Sequence, residues 1–235
     1  MTSKSNRFID VPEISNPDGT VGAPEVEVEP EPSGVADFFD FATNGMRYFV
    51  DLLVTEGMEQ GLLGPREAQR IWSRHILNCA VLGQFLPEGV SVADVGSGAG
   101  LPGLVLAIAR PDLEITLIES MDRRCRWLEW VSSELDLDNV RILQSRAEYL
   151  KGRERFEYVT ARAVGNLTKL LPWVAPLVKP KGQLLLLKGQ SVRTEIEEAL
   201  GKNVFRKLHL TVPEVLTVEE PVTGEDTRVV KIIKK

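Results

Sequence analysis

Reactive side chains are scarce in this chain. Among 235 residues there are two cysteines, Cys79 and Cys125, and two histidines, His75 and His209. Two cysteines without metal-like spacing exclude a disulfide framework and point to a reducing cytosol. Two histidines leave no basis for a His-rich zinc site, and no metal is expected. No Ser/His/Asp or Cys/His arrangement for nucleophilic catalysis is evident, so no catalytic residue is assigned from pattern. No apolar run is long enough to span a bilayer. The opening residues, MTSKSNRFID, lack the apolar stretch of a signal peptide. A cytoplasmic protein is the expectation. No internal repeat is found. What is present is ordinary for a globular chain: 43% hydrophobic and 26% charged residues, enough for one domain with appendages.

The net charge of −6 is unevenly spread. Residues 1–34 carry seven acids and two bases, a net of −5, which leaves −1 for residues 35–235. A nearly neutral body can still present a local basic face. The same 34 residues hold five prolines and few large apolar side chains, so they read as a disordered acidic tail. Three segments are expected: the tail 1–34, N-terminal helices 35–86 packed on the catalytic domain, and a nucleotide-binding domain 87–235.

Residues 35–62 read as helix, with anchors at Phe38, Phe39, Phe41, Met46, Tyr48, Phe49 and Leu52. A turn at Gly61–Gly64 and Pro65 at a first helical position start the next segment. There Ala68, Ile71, Trp72, His75, Ile76 and Cys79 recur on one helical face. His75 within that stripe is more simply a packed histidine with one hydrogen bond than a functional one. After Pro87, strands are read at 91–95, 114–119, 139–144, 157–162 and 183–188. Helices are read near 102–109, 122–136, 167–178 and 191–200. Alternation of this kind gives a doubly wound α/β sheet. Residues 205–216 and 227–234 read as two further strands, an antiparallel pair at the sheet edge.

The stretch VADVGSGAGLPG, residues 92–103, links the first strand to a helix. From Gly98 it reads Gly-x-Gly-x-x-Gly, the dinucleotide fingerprint. From Asp94 it reads Asp-x-Gly-x-Gly-x-Gly, the loop many methyltransferases wrap around S-adenosylmethionine. Glycines there let the backbone turn sharply and approach a ligand. Glu119 ends the second strand 21 residues after Gly98, where an acid accepts ribose hydroxyl hydrogen bonds. A solvated strand-end acid is its plainer alternative. Two features favour S-adenosylmethionine over a dinucleotide. The glycines begin at Gly96, directly behind Asp94. Also, only about 45 residues follow the fifth strand, too few for a second mononucleotide half.

Further candidates sit at later strand ends. Glu148, after the third strand, either faces the cofactor adenine or is a surface acid. Arg162 and Lys188 end the fourth and fifth strands, and charged tips of buried strands project into a cleft rather than the core. The alternative for both is a structural ion pair. Arg123, Arg124 and Arg126 open the helix after Glu119, where cations are slightly unfavourable. They are candidates for RNA phosphate, or simply a solvated face.

With these residues laid out, the chain resembles the ribosomal RNA small subunit methyltransferase G family, also called glucose-inhibited division protein B. The resembling pieces are RHILN, DVGSGAGLPGLVLAIARPD, LIES, QSRAE, ARAVGNL and LLLLKGQ. They occur in family order over roughly residues 65–200. The resemblance implies a Rossmann-like methyltransferase sheet with an antiparallel edge strand and an N-terminal helical extension. It implies methyl transfer from S-adenosylmethionine to N7 of the guanine at position 527, in the 530 loop of 16S rRNA. It places cofactor contacts at Gly96, Leu101, Ala147, Glu148 and Arg162; Gly98 and Glu119 join them from the residue pattern. The sequence departs from the family at Asn78-Cys79, where many members have Asp-Ser, and in its acidic tail.

Guanine N7 carries a free lone pair on the major-groove edge and attacks without losing a proton. Catalysis is then alignment of nucleophile, methyl and sulfur. Arg162 and Lys188 suit guanine O6 or phosphate contacts, as substrate-positioning groups. The expected partner is 16S rRNA or the small ribosomal subunit, with no membrane, and the expected state a monomer. The rival readings are a methyltransferase acting on another RNA or a small molecule, an NAD-dependent dehydrogenase, and a noncatalytic ribosome-binding module.

Overall fold

The computed structural model describes residues 26–235. Its sheet has seven strands: β1 (Ser91–Val95), β2 (Glu114–Glu119), β3 (Val140–Gln144), β4 (Phe156–Arg162), β5 (Val178–Lys188), β6 (Glu214–Glu219) and β7 (Asp226–Ile233). The spatial order is β3-β2-β1-β4-β5-β7-β6. The first five strands are parallel, and β7 runs antiparallel to both β5 and β6. The chain reverses its direction of winding between β1 and its neighbour β4, the place where open α/β sheets bind ligands at their carboxyl ends.

Helices cover both faces. They are α1 (Val35–Phe39), α2 (Thr43–Val54), α3 (Glu56–Glu59), α4 (Pro65–Ala68), α5 (Asn78–Ala80), α6 (Gly103–Ala109), α7 (Asp122–Glu134), α8 (Leu167–Val174), α9 (Val192–Gly201) and α10 (Val204–Lys207). The run LLLL in β5 shows why the sheet is covered twice. Leu185 and Leu187 join the core under α2, α6 and α7, whereas Leu184 and Leu186 join the core under α8 and α9. Side chains alternate faces along a strand, so a strand buried on both sides reads as a continuous apolar run. None of the described helices is long and apolar enough to cross a membrane.

The N-terminal helices differ from the long helix expected over 35–62. The chain breaks at Asp40, whose φ is +47°, and again at Thr55. The Thr55 hydroxyl donates to the Asp51 carbonyl at 2.6 Å, a local bond that competes with the helical ladder. Of the expected anchors, Phe39, Met46, Phe49 and Leu52 are buried, but Phe41 and Tyr48 are exposed. The second segment keeps its apolar face: Ala68, Ile71, Trp72, His75, Ile76 and Cys79 are all buried. Its backbone, however, widens into a π-helix over Ile71–Leu77. Such turns are rare and are frequent at functional sites.

Two boundaries need correction. Residues 205–216 are not one strand: α10 occupies the first part and β6 starts at Glu214. Phe205 is buried among the helices of the second core, so the segment folds back before pairing. The acidic tail drawn to residue 34 also ends too late. Residues 1–25 lie outside the described residues, but 26–34 are docked on the body. Val26 and Val28 pack against the core, and the Glu29 carboxylate accepts from the backbone amides of Trp72 and Ser73 at 2.8 and 3.0 Å. Acids at 29 and 31 are thus anchors. Glu29 satisfies the open N-terminal amides of the π-helix, and Glu31 pairs with Arg47 at 2.6 Å.

Candidate active site

β1 carries Asp94 next to its carboxyl end, and this residue is fully buried. Its Oδ2 accepts from the Gly103 amide at 3.0 Å, tying the start of α6 to the strand, while Oδ1 has no partner. Burial pushes this carboxyl up to about 7, only partly opposed by the Gly103 amide. Between these two anchors the loop turns tightly. Gly96 has φ +74°, and a Cβ there would stand 2.9 Å from Val164 Cγ2. Gly103 is needed for a different reason: its Cβ would stand 2.2 Å from Leu117 Cδ2, inside the contact between α6 and β2. The Trp127 indole donates to the Ala99 carbonyl at 3.1 Å and holds the outer side of the loop.

Glu119, at the end of β2, is 4% exposed, which rules out the solvated strand-end alternative. Its Oε2 accepts from the Gly98 amide at 3.1 Å, and Oε1 accepts from Ser120 and Met121 at 2.7 and 2.9 Å. The carboxylate therefore locks the glycine loop to the next strand end, and a carboxylate with about four acceptor positions keeps room for one more donor. Ala147 is buried and Glu148 exposed in a short 3₁₀ turn after β3. Leu101 is half-buried against the core under α6. Gly96, Gly98, Glu119 and Ala147 thus follow three neighbouring strand ends.

Arg162, at the tip of β4, reaches toward the N-terminal helices. One guanidinium nitrogen donates to Cys79 Sγ at 3.2 Å and another lies 2.5 Å from His75 Nδ1. Burial and the facing Arg162 charge lower His75 to about 4, so the ring is neutral at pH 7 and Nδ1 is the acceptor. Its Nε2 lies 2.6 Å from Glu67 Oε2 but out of line for a hydrogen bond. The plain packed histidine expected from the stripe is therefore a histidine that braces Arg162. The departure at Asn78-Cys79 does not remove this segment from the site either. Cys79 meets Arg162, and Asn78 donates to Thr227 Oγ1 at 2.6 Å.

Beside Arg162 opens a cleft of about 770 Å³. It is lined from the π-helical segment by Arg70, Arg74, His75 and Asn78, and from β5 and β7 by Lys188 and Arg228. Sequence reasoning missed Arg70, Arg74 and Arg228. The signal for the first two was their i, i+4 spacing beside the buried stripe; for Arg228 there was none, since it needs the edge hairpin to fold back. Lys188 reaches the cleft as a charged strand tip should. It also forms the structural ion pair: its ammonium bonds Glu195 at 2.9 Å and the Gly165 carbonyl at 2.6 Å, and its side chain is 8% exposed. Arg123, Arg124 and Arg126 do not line the cleft. Arg124 lies 3.7 Å from Glu119 and Arg126 pairs with Asp122, while Arg123 is exposed.

Comparison with known proteins follows the same lines. Residues 42–223 match the GidB family, described as rRNA small subunit methyltransferase G. A ribosomal RNA small subunit methyltransferase G of Pseudarthrobacter chlorophenolicus is 51% identical over 79% of this chain and 85% of its own length. That of Leifsonia xyli subsp. xyli is 48% identical over 87% of this chain and 96% of its own. Among solved structures, a SAM dependent methyltransferase from Aquifex aeolicus superposes with a TM-score of 0.52 at 20% identity, covering 71% of this chain and 93% of that one. This likeness concerns the fold alone. The glycine loop held by Asp94 and Glu119, the sheet order and these sequence matches agree: the chain belongs to the rRNA small subunit methyltransferase G family and is an S-adenosylmethionine-dependent methyltransferase with a Rossmann-like fold.

Proposed function

We propose that this chain methylates N7 of a guanine in 16S rRNA, the one at position 527 in the 530 loop, and does so as a cytoplasmic monomer. The observation that carries the reading is the 51% identity to a ribosomal RNA small subunit methyltransferase G. The cradle and cleft both form within one chain, which supports action as a monomer.

The residues present fit the cofactor. Gly96 takes a left-handed turn where a Cβ would collide with Val164, Glu119 is a buried carboxylate with an acceptor position left, and Asp94 Oδ1 is a buried oxygen without a donor. Gly96, Gly98 and Leu101 would hold the amino-acid end, Glu119 a ribose hydroxyl, and Ala147 and Glu148 the adenine. S-adenosylmethionine supplies, when bound, an electrophilic methyl group on a sulfonium centre.

The remaining work is alignment. Guanine N7 attacks through its lone pair without a base, which agrees with a site where His75 is neutral and already committed to Arg162. Arg162 is braced from two sides, so its guanidinium is pre-positioned at the boundary between cradle and cleft. It serves guanine O6 or a flanking phosphate. Lys188 acts indirectly, by fixing the Gly165 turn next to Arg162. The test is deletion of the gene followed by borohydride and aniline treatment of the 16S rRNA. That treatment cuts at 7-methylguanosine, because the cationic ring makes the glycosidic bond labile. Loss of one cut in the 530 loop is expected; its persistence refutes the assignment.

A further inference from the structure

The catalytic cleft is not where this protein concentrates positive charge. Its lining includes five cations, Arg70, Arg74, Arg162, Lys188 and Arg228, set against Glu67, Glu195, Glu225 and Asp226. Arg70 is held by Glu225 and Lys188 by Glu195, each within 3 Å. A site so nearly balanced gives a polyanion little long-range attraction.

The opposite end of the sheet differs. A concavity of about 320 Å³ lies where β5 starts and β7 ends. Lys151, Arg155, Lys207 and Lys234 line it together with His209, and no acidic residue does. Lys151, Arg155 and Lys207 are exposed, and none of the three takes part in an ion pair or side-chain hydrogen bond among the described residues. Lys234 is half-buried, its ammonium donating to the Leu208 carbonyl. Burial and the nearby Arg155 charge lower its pKa, a sign that the local positive charge is not offset. Two acids close by in sequence are already engaged: Glu154 by Arg141 and Glu157 by Ser91 and Lys179.

Lys188 and Val178, the two ends of β5, lie at the cleft and at this concavity respectively. β5 bulges between Val178 and Gln183, so the regular neighbour β4, which pairs with Val178 at Phe156 and with Leu187 at Arg162, measures the span better: about seven strand steps, roughly 20–25 Å at about 3.3 Å per residue.

We propose that this second basic concavity is an RNA-phosphate docking surface, which grips a part of the rRNA remote from the methylated loop. The inference rests on the rRNA reading above. Charge complementarity with a polyphosphate is the argument: unpaired cations around a concave surface neutralise phosphates and release their counterions. The division of labour follows. The balanced cleft aligns one base, and the basic concavity supplies affinity. A substrate must then extend across roughly 20–25 Å of protein to use both, so a large folded RNA binds better than the isolated loop.

The test uses the full chain carrying K151E, R155E and K207E together. Equilibrium binding is measured on a 16S rRNA transcript and on a short hairpin carrying only the target loop, across a salt series. The expected result is at least a tenfold loss of affinity for the transcript, with the slope of log K against log salt shallower by about two to three. Hairpin binding and S-adenosylmethionine affinity by calorimetry stay unchanged, which also reports an intact fold. Transcript affinity within twofold of wild type, or an equal loss on the hairpin, overturns the proposal. So does wild-type binding to phosphatidylglycerol vesicles that the triple substitution abolishes while transcript affinity holds; that outcome assigns the patch to a membrane. Transcript binding that depends on the patch in a protein that methylates no 16S rRNA keeps the surface and refutes the substrate reading instead.

Discussion

Replacing Asp94 by asparagine removes a pH dependence that the fold imposes. The carboxyl is fully buried and stands at about 7, against an ordinary 3.8. Because the folded value is raised, its contribution to stability is complete below about pH 4 and is lost as the pH rises through 7. A rise of about three pH units corresponds to ~4 kcal/mol across that window. The asparagine keeps an oxygen for the Gly103 amide, which lies 3.0 Å from Oδ2 in the wild type, but puts an NH₂ where Oδ1 has no partner. An unsatisfied buried donor costs roughly 1–3 kcal/mol at every pH. The Asp94→Asn variant should therefore be less stable than wild type at pH 4 and more stable by roughly 1–3 kcal/mol at pH 8, with a crossing between. Urea unfolding at intervals from pH 4 to 8 reads the difference, in which every other titrating group cancels. A difference that is flat with pH would show that Asp94 is ionised throughout, and would remove the burial argument for this site.

Gly96→Val should abolish measurable S-adenosylmethionine binding in calorimetry while the protein stays folded, since φ is +74° and the new side chain meets Val164 at the cradle. Gly103→Ala should instead lower stability by roughly 2–3 kcal/mol in urea unfolding, because its methyl enters the packed contact with Leu117. For His75 the sign is opposite to that of Asp94: its folded value of about 4 is depressed, so its contribution is present above about pH 6.5 and lost as the pH falls through 4. His75→Gln should flatten the acid limb of the stability curve by up to ~3 kcal/mol and lower kcat by releasing Arg162. Removing residues 1–32 should lower Tm by several degrees, because Glu29 and Glu31 anchor the π-helix and α2; an unchanged Tm would contradict the docking of 26–34.

Much of this protein was legible in the one-dimensional pattern because the signals are local. Strand–loop–helix alternation, the spacing of Gly96, Gly98, Gly100 and Gly103 behind Asp94, and Glu119 at the next strand end all follow from what a short backbone segment permits. Periodicity alone placed the buried face of the segment from Ala68 to Cys79, even though its backbone proved to be a π-helix. The double-sided burial of β5 was present in LLLL.

What the tertiary structure decided concerns charges, because a charge is defined by its partner and partners are distant in sequence. Lys188 looked like an unpaired cleft cation until Glu195 and Gly165 closed on it. His75 looked like packing until β4 brought Arg162 against it, 87 residues away in the chain. The acids at 29 and 31 looked like solvated tail until they met the π-helix amides and Arg47. The basic concavity formed by Lys151, Arg155, Lys207 and Lys234 has no sequence signature at all. Its members come from a turn before β4, from α10 and from the end of β7, and only the pairing of β5 with parallel β4 and antiparallel β7 brings them together. Local conformational preference is written residue by residue; electrostatic meaning depends on distances through space, which the fold alone sets.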